Sequence, residues 1–179
     1  VGAISGYSKA MMKYKLNKQT EQINQVMMAL VEHKSIFTTL AANESIVPIF
    51  NKLNALPPEM LKQNDNYYIY DVFNTRIQLA LSSDGNKFYF SFSFTEQNDP
   101  NHDICCNILE SFKGYAAEIS ALGVNSTTAE DMNQQEWWYG DGDSGHNDRK
   151  IHQLNVSTMH SLCEQCDKNF CGIYAIWYL

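Results

Sequence analysis

The chain has 179 residues, a formal charge of −7 at pH 7, 44% apolar, 12% aromatic and 18% charged side chains. With nine glycines and four prolines this excludes collagen-like repeats and low-complexity disorder, and the acidic balance excludes a polybasic nucleic-acid binder, so no nucleic-acid partner is expected. One domain of this size buries roughly two thirds of its unfolded surface. No run of ~18 apolar residues marks a membrane span. No initiator Met or signal-peptide pattern stands at Val1, which leads to the expectation of a processed or truncated product.

Residues 1–36 predict one long helix. Ile4, Tyr7, Met11 and Tyr14 recur at three and four, Leu16, Ile23, Met27 and Leu30 keep the register, and no glycine or proline falls between Tyr7 and Phe37. Lys9, Lys13, Lys15, Lys18 and Lys34 against Glu21 and Glu32 give this segment +3; the other eight basic and eighteen acidic residues give −10. Such a basic helix is either a solvated face or a surface that meets acidic partners, a neighbouring copy's body or anionic lipid headgroups. In the connecting region Asn43 is a candidate cap for a short helix broken at Pro48, and Pro57-Pro58-Glu59 suits a turn opening another.

The period then changes from 3.6 to 2. In residues 75–82 Ile77, Leu79 and Leu81 alternate with Arg76, Gln78 and Ala80, and in 87–95 Phe88, Phe90, Phe92 and Phe94 alternate with Tyr89, Ser91 and Ser93. Asp84-Gly85 between them predicts an antiparallel hairpin with one dry face, within a hairpin region of 67–98. The N-terminal helix is the natural cover for that face. Asp103 is a candidate cap for a helix over 103–122 carrying Ile104, Ile108, Leu109, Phe112, Ala116 and Ile119, with Gly123 as its stop. Residues 124–150 are polar apart from Trp137-Trp138-Tyr139. Ser157 opens a brief helix carrying Cys163, Asp167-Lys168-Asn169 suits a turn, and 170–179 reads as a strand central in the sheet.

Candidate sites are few. Cys105 and Cys106 stand apart from Cys163, Cys166 and Cys171, a distribution that suits a disulfide staple between mid-chain and C-terminus. Zinc is the rival, through Cys163-x-x-Cys166, but its partner would be the contiguous Cys105-Cys106 pair, and adjacent residues rarely both reach one tetrahedral metal. Asp141, Asp143 and Asn147, in the acidic stretch 141–148, are either a solvated loop or calcium ligands; the EF-hand pattern is not met. His102 with Cys105 or Cys106 has the spacing of a base and nucleophile on a helix, yet no oxyanion-hole glycine motif surrounds it, and no G-x-S-x-G, Walker A, G-x-G-x-x-G or H-E-x-x-H occurs. No enzymatic activity is expected. Trp137 and Trp138 are either a minor core or a stacking surface.

The order of elements resembles the soluble part of a type IV pilin, most nearly the type IVb class. Cys106-Asn107-Ile108-Leu109 stands where that family carries Cys-x-x-Leu on a mid-chain helix, residues 155–163 resemble the short helix before its second cysteine, and Ala55-Leu56-Pro57-Pro58-Glu59-Met60 is similar to the segment before its first strand. The resemblance implies an α+β fold with a long N-terminal helix on an antiparallel sheet, and a Cys106–Cys163 disulfide bounding a C-terminal region within a single domain over 1–179. Cys105, Cys166 and Cys171 exceed the family's usual pair. Cys166 and Cys171 can close a small loop, leaving Cys105 as the odd thiol, and their pairing stays open. Asn74 stands where many relatives carry glycine. Such pilins also begin with ~25 apolar residues, and Val1-Gly2-Ala3-Ile4 looks like the cut end of that segment.

The expected function is structural: a major or minor subunit of a type IV pilus or pseudopilus, anchored in the inner membrane before assembly and extracellular as a filament after it. It would assemble with itself and other pilin subunits in support of adhesion, aggregation or secretion. Lys9, Lys13, Lys15 and Lys18 would lie between the helix bundle and neighbouring acidic bodies. The alternative is a secreted binding module for glycan or calcium, using Trp137, Trp138 and the 141–148 loop.

Overall fold

The computed structural model describes residues 2–125, 136–166 and 170–179, without the side chains of residues 2–4 and Glu96. Helix α1 spans Gly2–Glu32, followed by a 3-10 segment at Lys34–Thr39. The uninterrupted run of helix formers carries α1, and the β-branched and small residues after Lys34 tighten the chain out of it. Helix α2 is Val47–Lys52, with Pro48 in its first turn, where the missing N–H costs nothing; Pro48 opens this helix and does not break it. Asn43 is not its cap. It sits at φ +63°, in a turn before the helix.

Among the described residues six strands form one antiparallel sheet: β1 Tyr68–Tyr70, β2 Arg76–Leu81, β3 Lys87–Phe94, β4 Ala121–Asn125, β5 Glu136–Tyr139 and β6 Cys171–Tyr178, in the order β1-β2-β3-β6-β4-β5. The expected hairpin is present, with Leu81 opposite Phe88 and Arg76 opposite Ser93. Gly85 turns it at φ +72°, and the Asp84 carboxylate accepts the Asn86 N–H at 3.1 Å. The C-terminal strand is central, with β3 on one side and β4 on the other.

The dry face is continuous across the sheet. Ile69, Ile77, Phe92, Ile173 and Val124 form one cross-strand row, and Leu79, Phe90, Ala175 and Leu122 form the next; all are buried. Helix α3, Asp103–Lys113, lies over it with α1, contributing Ile104, Ile108, Leu109 and Phe112. Phe112 meets Phe90 edge-on at 5.1 Å between centroids, and Phe37 stacks on Phe88 at 4.0 Å. From α1 the core takes Ile23, Val26, Met27, Ala29 and Leu30. The fold is α+β, a long N-terminal helix packed on an antiparallel sheet.

Two expected boundaries move. The mid-chain helix ends at Lys113, and 121–125 is a strand with Gly123 inside it, opposite Tyr174 on one side and Trp137 on the other. Ala116 and Ile119 keep a helix-like spacing because residues 115–119 form a turn, closed by the Ile119 N–H donating to Tyr115 at 3.1 Å. Pairing with β6 overrides the local pattern. The capping carboxylate is also a different one: Asp99, not Asp103, accepts the N–H groups of Ile104 and Cys105 at 2.9 and 2.8 Å. Helix α4, Val156–Cys163, is capped by Asn155, which accepts the Thr158 N–H at 2.9 Å. The expected turn at residues 167–169 lies outside the described residues.

Candidate functional site

Along α1 burial begins at Gln19. Residues 5–14 are exposed except Met12, and Tyr7, Met11 and Tyr14 stand 67%, 38% and 62% exposed. These three recur at four and three, so they make one stripe on the helix. Stepping 100° per residue, that stripe lies roughly a third of a turn from the face of Ile23, Val26 and Leu30 that enters the core. The apolar residues of the first three turns are therefore not a continuation of the buried face.

The four lysines divide into two kinds. Lys18 is committed within the chain, 3.1 Å from Glu21 and 3.2 Å from Glu59; hydrogen bonds to Glu21 first and Glu59 second raise its pKa. Lys15 is half-buried with its ammonium 5.6 Å from the Phe73 ring centroid. Lys9 and Lys13 are exposed, without an ion pair to any described residue, and their one-turn spacing puts them side by side, roughly opposite the Tyr7 stripe. Lys9 and Lys13 are thus the two of the four without a contact to a described residue of the body, whereas Lys15 and Lys18 have one.

A polar seam fixes the second half of α1 to the body. Gln19 donates to Asp71 Oδ2 at 2.6 Å and accepts from Asn107 Nδ2 at 2.8 Å; Asn107 also donates to the Leu16 carbonyl at 3.1 Å. Gln22 accepts the Val72 N–H at 2.9 Å. Gln19, Gln22 and Asp71 are all buried, so the seam specifies how the helix is rotated on the sheet as well as where it sits.

The cysteine pairing departs from the expectation. The disulfides are Cys105–Cys163 and Cys166–Cys171, and Cys106, not Cys105, is the free thiol. On α3 Cys105 shares a face with Ile108, Leu109 and Phe112 and is fully buried, whereas Cys106 turns to the flank and is half-buried. The expected Cys106–Cys163 pair is still close, 3.7 Å between sulfurs. Burial first, then the carboxylates of Asp99 and Asp103, push the Cys106 thiol up to about 11, so it is protonated at neutral pH. With Cys105 tied up and Cys106 protonated, the nucleophile and base read at His102 does not assemble; His102 turns its ring to His160 at 5.5 Å.

The 141–148 loop is organised around an ammonium. Lys150 is buried and donates to the carbonyls of Gly140, at 3.1 Å, and Asp143. Asp141 faces His152 Nδ1 at 2.6 Å, and Asp143 Oδ1 accepts the N–H groups of Gly145 and His146 at 2.8 and 2.9 Å. Asn147 is exposed. Strand register separates the tryptophans: Trp137 faces out opposite Gly123, while Trp138, opposite Leu122, packs on the core with its Nε1 buried and unpartnered among the described residues. They offer no shared stacking platform.

Among the described residues no helix is long and apolar enough to cross a membrane. No protein-family model, curated protein or solved structure matches the chain.

Proposed function

We propose that the protein is a structural subunit of a filament of the type IV pilus or pseudopilus kind, joined to its neighbours through the first half of α1. The observation that carries this reading is the uncovered length of helix: three turns bearing Tyr7, Met11 and Tyr14 on one side and Lys9 with Lys13 on the other, on a body that is otherwise acidic. A helix stripe that its own core does not use suits burial against other helices. The lysine pair suits the acidic surface of a neighbouring body, where opposed charge orients subunits as they meet. The polar seam at Gln19 and Gln22 supports the same reading, since a helix that transmits filament contacts has to be fixed in rotation on its own body.

A binding module centred on Trp137, Trp138 and the 141–148 loop has less support. The two indoles face opposite sides of the sheet, and the loop's interior carbonyls are taken by Lys150. The test is filament formation by the full-length gene product in its own cells, viewed by electron microscopy. K9E/K13E is expected to abolish or strongly reduce filaments while the purified body keeps its thermal midpoint, and K15E is expected to do less. Undiminished filaments from K9E/K13E would refute the assembly role, and a gene product that never leaves the cytosol would refute the filament.

A further inference from the structure

All five cysteines of the chain gather in one place, where α3, α4 and the start of β6 meet. The sulfurs of Cys105, Cys166 and Cys171 lie within 4.8 Å of one another. Cys163 is bonded to Cys105, and Cys106 is 3.7 Å from Cys163. The sulfurs of a tetrahedral zinc tetrathiolate stand roughly 3.8 Å apart, as a Zn–S distance of about 2.3 Å requires. The two disulfides therefore already hold four sulfurs within a short movement of one coordination sphere.

We propose that when its disulfides are reduced this chain binds one Zn²⁺ through Cys105, Cys163, Cys166 and Cys171, so that a metal replaces two disulfides as the staple between α3 and the C-terminal region. The objection the sequence raises, that Cys105 and Cys106 would both have to serve, disappears in the fold. Cys171 supplies the fourth ligand, and Cys106 points to the flank. The donors favour zinc over the hard cations, because thiolates are soft ligands and no carboxylate is among them. The site is closed: Cys105, Cys163 and Cys171 are fully buried and Cys166 nearly so, as a structural zinc site requires.

The chemistry balances. A dithiol or phosphine reductant gives two electrons to each disulfide and is itself oxidised; with four protons taken up, the two bonds become four thiols. Zn²⁺ then displaces those four protons and binds four thiolates. A disulfide or peroxide oxidant that accepts two electrons for each S–S bond reverses this, releasing the metal as the two bonds form. The proposal stands independently of the filament reading, since it concerns only what holds the C-terminal region when disulfides are absent.

The experiment uses the full 179-residue chain, reduced with a phosphine under anaerobic conditions and titrated with Co²⁺ alone and then with Zn²⁺. Expected are one equivalent of cobalt, the visible bands of tetrahedral cobalt thiolate, their bleaching by one equivalent of zinc, and recovery by zinc of a thermal transition lowered by reduction. C106S is expected to bind as the wild type does. C105S/C106S, which also removes the thiol 3.7 Å from Cys163 that could take the place of Cys105, and C171S should each weaken binding at least tenfold, as loss of even an outer partner of a metal ligand costs about 10- to 100-fold. Absence of the cobalt bands in wild type with five titratable thiols would overturn the proposal, whether or not the reduced chain is folded, because a structural zinc site supplies its own folding energy. Undiminished binding by C105S/C106S would overturn it as well, leaving only a local chelate within residues 163–171.

Discussion

Asp71 shows how much one side chain can join. Its Oδ1 accepts the N–H groups of Phe73 and Thr75 at 2.9 and 2.8 Å, while Oδ2 takes the Gln19 amide at 2.6 Å, so the turn between β1 and β2 and the rotation of α1 share one carboxyl. Burial raises its pKa above the ordinary 3.8 in spite of these donors. The folded protein then holds this proton more firmly than the unfolded chain does. Its contribution to stability is fully present below the unfolded value and is lost as pH rises through the raised folded value. In urea melts from about pH 3 to about pH 7 the stability of wild type relative to D71N is therefore expected to fall, since the amide of that variant cannot titrate; a constant or rising difference would contradict this. Three residues away Asn74 stands at φ +62°, a conformation in which glycine or asparagine is tolerated and a β-branched residue is not.

At the scale of elements, a close backbone approach lies where β5 leaves the sheet. A Cβ on Gly140 would come within 2.0 Å of the Ile119 carbonyl oxygen and 3.0 Å of that of Ala116. The same contact aligns the Gly140 N–H on the Ser120 carbonyl at 2.9 Å and the Asp141 N–H on the Ala116 carbonyl at 2.8 Å. Gly140 thereby clamps the turn after α3 to the end of β5, and the Lys150 ammonium binds the Gly140 carbonyl from the other side. G140A must push these backbones apart, and a loss of about 3 kcal/mol is expected in thermal or urea unfolding, as for overpacking against an unyielding wall. A change within about 0.5 kcal/mol, the scale of ordinary surface substitutions, would show that the turn gives way freely.

For the molecule as a whole, the Cys105–Cys163 bond spans 58 residues and ties α3 to the end of α4. In the chain-entropy picture closing such a loop contributes about 4 kcal/mol. Because Cys106 lies 3.7 Å from the Cys163 sulfur, removing Cys105 alone leaves a substitute partner, so both ends have to be changed. C105S/C163S is expected to lose about 4 kcal/mol of unfolding free energy under oxidising, metal-free conditions. C106S is expected to lose almost none, and an equal loss from C106S would point to the other pairing. The charge division, +3 on the first 36 residues and −10 on the rest, also belongs to this scale: Lys18 and Glu59 join the two parts within the chain, and the exposed remainder sets the field that other molecules meet.

Periodicity alone determined the long helix, the hairpin at Arg76–Leu81 and Lys87–Phe94 and the dry face of alternating Phe residues, and strand propensity determined the last strand, because each is a local pattern that burial then rewards. Length and composition alone pointed to one domain-sized core, and the placing of the cysteines to a staple. What only the tertiary structure decided is which of two adjacent cysteines pairs, since a one-residue step on a helix turns a side chain by about 100° and the core accepts just one of the two. It decided, too, that residues 121–125 join the sheet, because β6 offers a free edge that no local signal announces. And it separated Lys9 and Lys13 from Lys15 and Lys18, because the partners of the latter two, Phe73 and Glu59, come from chain segments more than 40 residues away that folding alone brings to the helix.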